Sequence, residues 1–428
     1  MGFMRNIIRR LLGRRVVSAV LGVGVLIALI AGLIVLGAGA DRRGDSTEFN
    51  ERERPGTNVD LADGFAQWPM WGRTPARDRF DANASLHPPF RKIWNYRAKS
   101  LLEFPPAGDE LYLYLGANDG KIHAIRKIDG TARWVTQTPG PIASTPVVVG
   151  NRLYVTEMDG ALYVLDTETG SIDWTFKAKS RLESSPLVIG RRVYFGAHDG
   201  TVYAVSTRRH RAVWTYHADA PVKGALAYRS GRLYVGSYDG KLHAIRAGDG
   251  SGVWATPTRR EFSFGGSLYS TPAVAYGRVY VGSTDGRVYS IGATSGKIIW
   301  VRSTGDWVYA SPAVAEGRVF AGSYDGKMYA FDARTGDVLW DFNTGSSERI
   351  SGSATVIGKI VYFSTLGGTT YGLDTATGKV RWTFADGRYS PIVSDVSRLF
   401  LAGYTKVYGF VAPSANSRAN GATRAATS

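Results

Sequence analysis

Trp94, Trp134, Trp174, Trp214 and Trp254 stand 40 residues apart, and Trp300, Trp340 and Trp382 continue the series at steps of 46, 40 and 42. Asp-Gly pairs keep the same beat at Asp119-Gly120, Asp159-Gly160, Asp199-Gly200, Asp239-Gly240, Asp285-Gly286 and Asp325-Gly326, with Gly367-Gly368 in the seventh place. A fixed period of this length marks a repeat architecture, in which each unit buries its apolar surface only against its neighbours. One unit shows the contents. Residues 144–149 are a short apolar strand, Gly150-Asn151 is a turn, and residues 152–156 alternate as a second strand. Asp159-Gly160 reads as a tight hairpin turn, residues 161–166 as a third strand and residues 171–176 as a fourth that carries Trp174. Four antiparallel strands in ~40 residues are one blade of a β-propeller.

Counting the units predicts how the ring closes. Trp134 to Trp382 end seven of them; beyond Trp382, residues 390–393, 398–403 and 405–411 read as three strands without a fourth. Residues 91–97, around Trp94, read as a strand without the preceding three. The N-terminal strand is therefore expected to complete an eighth blade, satisfying edges that would otherwise invite aggregation. Residues 91–410 number 320, or 40 for each of eight blades. The expected fold is all-β: an eight-bladed β-propeller of four-stranded antiparallel blades, preceded by one transmembrane helix.

Residues 16–40 carry no charge, and a helix needs only ~20 such residues to cross ~30 Å of hydrocarbon. Arg5, Arg9, Arg10, Arg14 and Arg15 precede them without an acidic residue, which places the N-terminus in the cytoplasm and the remainder outside. Ala38-Gly39-Ala40 has the form of a cleavage site, so a cleaved signal peptide stays open, although its apolar region is usually ~7–15 residues. The expected organisation is a basic cytoplasmic tail at 1–15, a membrane-spanning helix at 16–40 and a polar linker at 41–66. The propeller follows at 67–411 and a small, polar, disordered tail at 412–428. The expected location is the cell membrane, single-pass, with the propeller extracytoplasmic.

Glycine, 52 of 428 residues, and 12% aromatics suit an all-β chain. Cysteine is absent, which excludes disulfides, thiolate metal sites, cysteine nucleophiles, iron–sulfur clusters and a lipidated-cysteine anchor. Of the net charge of +16, seven arginines and one aspartate up to residue 43 contribute +6, so the basic character is partly topogenic. No nucleic-acid partner is expected.

Tyr163, Asp166, Thr169, Gly170 and Trp174 recur as Tyr329, Asp332, Thr335, Gly336 and Trp340, and again as Tyr371, Asp374, Thr377, Gly378 and Trp382. This pattern resembles the pyrroloquinoline-quinone-type (PQQ-like) propeller repeat and not WD40, in which a Trp-Asp pair ends the third strand. The resemblance spans residues 67–411, including the opening Gln67-Trp-Pro-Met-Trp-Gly72. It implies that Trp94, Trp134, Trp174, Trp214, Trp254, Trp300, Trp340 and Trp382 dock each blade on its neighbour. The family holds quinone-dependent alcohol dehydrogenases and also non-enzymatic scaffolds, such as the propeller subunit of the outer-membrane β-barrel assembly machinery. The adjacent cysteine pair common in the dehydrogenases cannot form here, nor can the lipidated cysteine of the assembly subunit.

Candidate binding residues come from positions that vary between units. Three residues before the Pro146-type site, at the start of each innermost strand, stand Glu103, Ala143, Glu183, Lys223, Tyr269, Tyr309, Ser351 and, roughly, Arg388. Charge and aromatics change from blade to blade there, as an asymmetric funnel surface would require; simple solvent exposure is the plainer alternative. The fifth unit's six extra residues fall within 256–270, with Arg259, Arg260, Glu261, Phe262, Phe264 and Tyr269, and Trp307 and Tyr309 stand on the next equivalent loop. Insertions on one face commonly mark the binding side. The Asp-Gly aspartates read as turn residues. His87, His123, His198, His210, His217 and His243 form no metal-binding or triad pattern, so no catalytic residue, metal or cofactor is expected. The expected role is a non-catalytic scaffold that binds another envelope protein or polymer. One alternative is a PQQ- and calcium-dependent alcohol or sugar dehydrogenase, with Glu103, Glu183, Lys223 and Arg388 serving quinone and metal. The other is binding of an anionic envelope polymer or headgroup by the basic surface.

Overall fold

The computed structural model describes residues 41–56, 68–84, 86–258, 266–345, 348–389 and 392–412. Eight sheets form the unit Arg43–Ser428. The first blade orders its strands Ala107–Gly108, Tyr112–Gly116, Lys121–Arg126 and Ala132–Gln137 from the inside outwards. Six more blades repeat this order, with innermost strands Val147–Val149, Leu187–Ile189, Ala227–Arg229, Ala273–Ala275, Ala313–Ala315 and Thr355–Ile357. In the eighth, Ile392–Ser394, Arg398–Ala402 and Lys406–Val411 are joined by Arg91–Arg97, which pairs antiparallel to Lys406–Val411 with Tyr96 opposite Val407. The strand from the N-terminal side closes the ring as the repeat arithmetic requires.

Burial explains the strand sequences. Second strands such as Arg192–Gly196 are buried on both faces between flanking blades and read as continuous apolar runs. Fourth strands such as Ala212–His217 alternate exposed and half-buried residues, because they form the outer rim.

The rim tryptophans lock blade to blade. Trp94 Nε1 donates to Lys127 O at 2.9 Å, Trp134 Nε1 to Thr167 O at 2.9 Å and Trp340 Nε1 to Thr375 O at 3.0 Å, each acceptor lying on the next blade. The indoles lie on glycines with positive φ: a β-carbon on Gly130 would sit 2.6 Å from Trp94, and one on Gly170 2.5 Å from Trp134. The Thr-Gly step of the repeat therefore leaves room for the neighbour's indole. The Asp-Gly connections are tight turns of three or four residues, as expected from the strand spacing. Between Tyr112–Gly116 and Lys121–Arg126 the loop is Ala117 to Gly120, closed by Gly120 N donating to Ala117 O at 3.0 Å. The aspartate accepts at its turn, as Asp199 Oδ1 does from Thr201 N at 3.0 Å, and only the glycine has positive φ.

In these antiparallel blades the turns joining strands one to two and three to four share a lower face. The Asp-Gly turns and blade-to-blade connections share the upper face. The expected linker differs from a free spacer in its described part. Residues 43–56 pack on the lower face of the fifth and sixth blades, with Gly44 N donating to Thr335 O at 2.9 Å and Asn50 N to Tyr276 O at 2.9 Å. Phe49 stacks on Tyr276 at 4.9 Å beneath the Arg278 and Arg334 guanidiniums, and Arg43 pairs with Asp337 at 2.8 Å. One aromatic and complementary charges tie down a stretch whose composition alone reads as solvated.

The opening around Trp68 and Trp71 forms an inner belt. Gly108 N donates to Trp68 O, Val148 N to Pro69 O, Tyr228 N to Pro75 O, Val274 N to Ala76 O, Val314 N to Asp78 O and Val356 N to Arg79 O, at 2.7–2.9 Å. Phe80–Asp81 adds a parallel strand to Thr355–Ile357, and Ser394 Oγ donates to Asp81 at 2.9 Å. The belt thus meets innermost strands around the axis. Fully buried Arg77 donates to Leu226 O at 2.9 Å, to Pro186 O at 3.1 Å and to Trp71 O, which brings in the third blade. Among the described residues no helix is long and apolar enough to cross a membrane; residues 16–40, where the spanning helix is expected, lie outside them.

Candidate functional site

Above the belt, the axis opens into a cup of about 240 Å³. Trp71 lies at its floor; Glu103, Glu183, Lys223, Tyr269, Tyr309 and Ser351 line it. All six walls come from the strand-start positions, because each blade-to-blade connection descends towards the axis there. Hydroxyls two residues on fix the spacing. Ser185 Oγ accepts from Thr145 N at 2.9 Å, Thr271 Oγ1 from Ala225 N at 3.0 Å, Ser311 Oγ from Thr271 N at 2.9 Å and Ser353 Oγ from Ser311 N at 3.0 Å. Each bond stitches one innermost strand to the next. Its signature, a hydroxyl residue before proline in Thr145-Pro146, Ser185-Pro186, Thr271-Pro272 and Ser311-Pro312, is readable in the sequence but is missed when those residues are taken only as strand starts.

The electrostatics are acidic with one cation. Lys223 Nζ lies 3.4 Å from Glu183 Oε2 and 5.3 Å from the Tyr238 ring centre, and His198 Nε2 is 3.1 Å from Glu183 Oε1. Fifteen residues separate His198 from Glu183 in the chain, so local spacing gives no sign of this pair. Burial lowers the His198 pKa; Glu183 opposes this, and Lys223 and Arg181 add to it. Burial raises the Glu103 pKa, the Glu183 charge raises it further, and Lys223 partly offsets both. A carboxyl with a folded pKa above its unfolded value binds more protons when folded, so its contribution to stability falls as pH rises through that interval. Glu103→Gln is therefore expected to melt higher than wild type at pH 7, the gain vanishing below pH ~4, where Glu103 is protonated in both states. Equal gains at pH 7 and pH 4 would refute this assignment.

One side of the cup is an aromatic platform. Tyr269 meets Tyr309 edge-on at 5.7 Å, Tyr309 lies 5.0 Å from Tyr324, and Trp307 lies 5.7 Å from Tyr309 and 6.2 Å from Tyr324. Trp307 keeps 48% of its surface exposed, and the Arg349 guanidinium covers Tyr324 at 5.5 Å. Burial, then Glu103 and Glu183, push the Tyr269 hydroxyl well above its usual pKa, so it remains a neutral donor.

Arg388 stands three residues before Pro391, the strand-start place expected, but does not line the cup. Its guanidinium lies 4.9 Å from the Tyr404 ring centre, and the neighbouring Tyr389 lines the cup instead. Arg259, Arg260, Phe262 and Phe264 lie outside the described residues. Tyr238, Tyr324 and His198 were missed by sequence reasoning. They precede Asp-Gly pairs at a place that reads Asn118, Met158, His198, Tyr238, Thr284 and Tyr324, variation as marked as at the strand starts. Among the described residues, no three His, Asp or Glu side chains converge as a metal centre would require.

A family model described as outer membrane protein assembly factor BamB matches residues 57–178, 118–265 and 261–399. No curated protein matches. Among solved structures, BamB from Moraxella catarrhalis is 18% identical over 76% of this chain and 100% of its own, with a TM-score of 0.67. The quinohemoprotein alcohol dehydrogenase from Comamonas testosteroni is 13% identical over 84% of each chain, with a TM-score of 0.71. A computationally designed protein, Ika8, is 16% identical over 75% of this chain and 99% of its own, at 0.67. At these identities the likeness establishes the fold alone.

Proposed function

This chain belongs to the PQQ-like propeller family described as outer membrane protein assembly factor BamB, and from that premise we propose that it is a non-catalytic scaffold of the cell envelope. In this reading residues 16–40 anchor it in the membrane, the propeller stands outside the cytoplasm, and the upper face receives a segment of another envelope protein. The observation that carries the proposal is the half-exposed Trp307, continuous through Tyr309 and Tyr269 with a cup edged by Glu103 and Glu183. Exposed aromatics beside a desolvated pocket are the usual anchors of a protein contact. The acidic walls suit a basic side chain of the partner.

The same cup argues against the dehydrogenase reading. At about 240 Å³ it is smaller than the ~300–1,000 Å³ of ordinary ligand sites. Its one lysine already faces Glu183, so a carboxylated quinone would meet two like charges. Arg79 lies over the Trp71 ring at 5.0 Å, leaving the floor indole already stacked. These residues do not fit that cofactor. The purified full chain supplied with the quinone and Ca²⁺ is expected to show neither dye-linked alcohol oxidation nor a thermal shift.

Trp307→Ala is expected to leave stability within about 0.5 kcal/mol, since the side chain is half exposed. It should weaken capture of the partner by about 2 kcal/mol, roughly thirtyfold. The measurement is photocrosslinking in intact cells from Tyr309, with a lower-face probe at Val213 as control. A crosslink equal in wild type and Trp307→Ala, or equal from both faces, would remove this surface as the docking site.

A further inference from the structure

The turn Ser206 to Ala212 keeps the backbone bonds of its counterparts, Ser206 N donating to Arg211 O and His210 N to Ser206 O at 2.9 Å, but differs from them in its side chains. At the same place the second, sixth and seventh blades have Asp166, Asp332 and Asp374, whose carboxylates accept from backbone N–H groups two and three residues on. The third blade has Ser206 instead, whose Oγ accepts from Arg208 N at 3.3 Å and Arg209 N at 3.1 Å. Where Gly130, Gly170, Gly250, Gly296, Gly336 and Gly378 take positive φ, the third blade has His210 at φ 53°, stacked on Trp174 at 4.4 Å. A side chain in that region is a strained choice, and such strain is kept where something else is gained.

What the turn presents is positive charge. Arg208, Arg209 and Arg211 are exposed beside Arg191 of the adjacent turn. Arg191, Arg192, Ser206, Arg208, Arg209 and Val213 enclose a concavity of about 430 Å³. Among the described residues, no ion pair joins Arg191, Arg208, Arg209 or Arg211 to a carboxylate, whereas Arg334 on the equivalent turn of the sixth blade, and Arg152 and Arg381 on strands beside such turns, are paired. On the same lower face, Leu111 is 64% exposed and Ile128 62% exposed, on the two turns of the first blade. Arg43, also on this face, lies three residues beyond the uncharged stretch that ends at residue 40.

We propose that the lower face is a bilayer-facing surface, and that the arginine concavity of the third blade binds the phosphate of an anionic phospholipid headgroup. Guanidiniums grip phosphate oxygens with paired donors, and exposed apolar turns at the same level enter the headgroup boundary. The upper face, with its cup, is thereby turned away from the membrane. The orientation rests on the anchored reading above; headgroup binding does not, so alkaline extraction of membranes tests the anchor separately.

The test uses the full chain in nonionic detergent, titrated with dihexanoyl phosphatidylglycerol, dihexanoyl phosphatidylcholine, inorganic phosphate and polyglutamate. Arg208→Ala/Arg209→Ala is compared with the upper-face pair Arg97→Ala/Lys179→Ala, which removes the same charge. Phosphatidylglycerol is expected to bind at least tenfold more tightly than phosphatidylcholine, weakening as salt rises. The Arg208/Arg209 pair should lose tenfold or more and the control pair less than twofold, with melting temperatures unchanged. Equal losses in both pairs, or no preference for phosphatidylglycerol, overturn the site. Phosphate binding as tight as the lipid makes the ligand a free anion, and equal binding of polyglutamate makes it a polymer; either result overturns the bilayer assignment.

Discussion

Replacing Trp94 by alanine is expected to cost about 3–5 kcal/mol of stability and to convert a single urea transition into one that begins in the eighth blade. Trp94 is 8% exposed, stacks near Phe400 at 5.9 Å and donates to Lys127 O. It therefore holds two things at once. Its strand supplies the outer edge of the last blade through pairing with Lys406–Val411, and its indole docks that blade on the first across Gly130. Removing it leaves a cavity beside the one blade whose outer strand is held to its neighbour by pairing alone, residues 91–97 and 406–411 not being consecutive in the chain. The half-buried Trp174, inside a continuous run of blades, should cost less when truncated in the same way. Equilibrium unfolding of both variants beside wild type checks the ordering. A Trp94→Ala protein within 1 kcal/mol of wild type, or no weaker than Trp174→Ala, would falsify the claim that this seam limits the ring.

Arg77→Ala is expected to be nearly as damaging, at about 4 kcal/mol or more. Arg77 is fully buried without a carboxylate against it, and burial pulls its pKa to about 9, with Arg79 adding to the effect. It remains a cation at neutral pH and answers three carbonyls, those of Trp71, Leu226 and Pro186. Truncation leaves these acceptors unpaired in the channel. Lysine cannot replace it, since one ammonium on a flexible stem does not span three diverging carbonyls. Arg77→Lys should therefore recover less than half of the loss. The floor of the cup moves with the belt, so quenching of Trp71 fluorescence should rise in both variants. Thermal melts matching wild type for either variant would mean that the belt is ornamental to the ring.

The two residues show how differently parts of the molecule are written in the sequence. Trp94 is legible because repetition supplies its context: seven other tryptophans at one spacing announce the role, and the unmatched strands at the two ends announce the closure. The cup was legible in part for the same reason. Strand starts that vary against a constant framework pick out Glu103, Glu183, Lys223, Tyr269 and Tyr309, and the structure brings these five to one cavity. Arg77 has no such context. The stretch from Trp68 to Asp81 occurs once, its arginines read as surface residues, and nothing local indicates that they lie inside the channel. The Glu183–His198 approach was hidden for a related reason, since it joins a strand start to an upper turn across the blade, a separation that local patterning does not encode.

By itself, the sequence determined the number of blades, the order of strands within each, the closing strand and the positions that face the axis. These follow from period, alternation and turn chemistry, which act between residues close in the chain and are repeated until they cannot be mistaken. Only the tertiary structure decided that the channel is blocked below by a belt, that the cup is acidic with a single lysine, and that a strained arginine turn shares its face with the incoming N-terminal segment. Those features arise where segments that occur once meet repeats that surround them. Their energetics depend on burial and long-range pairing, which exist only after the ring has closed.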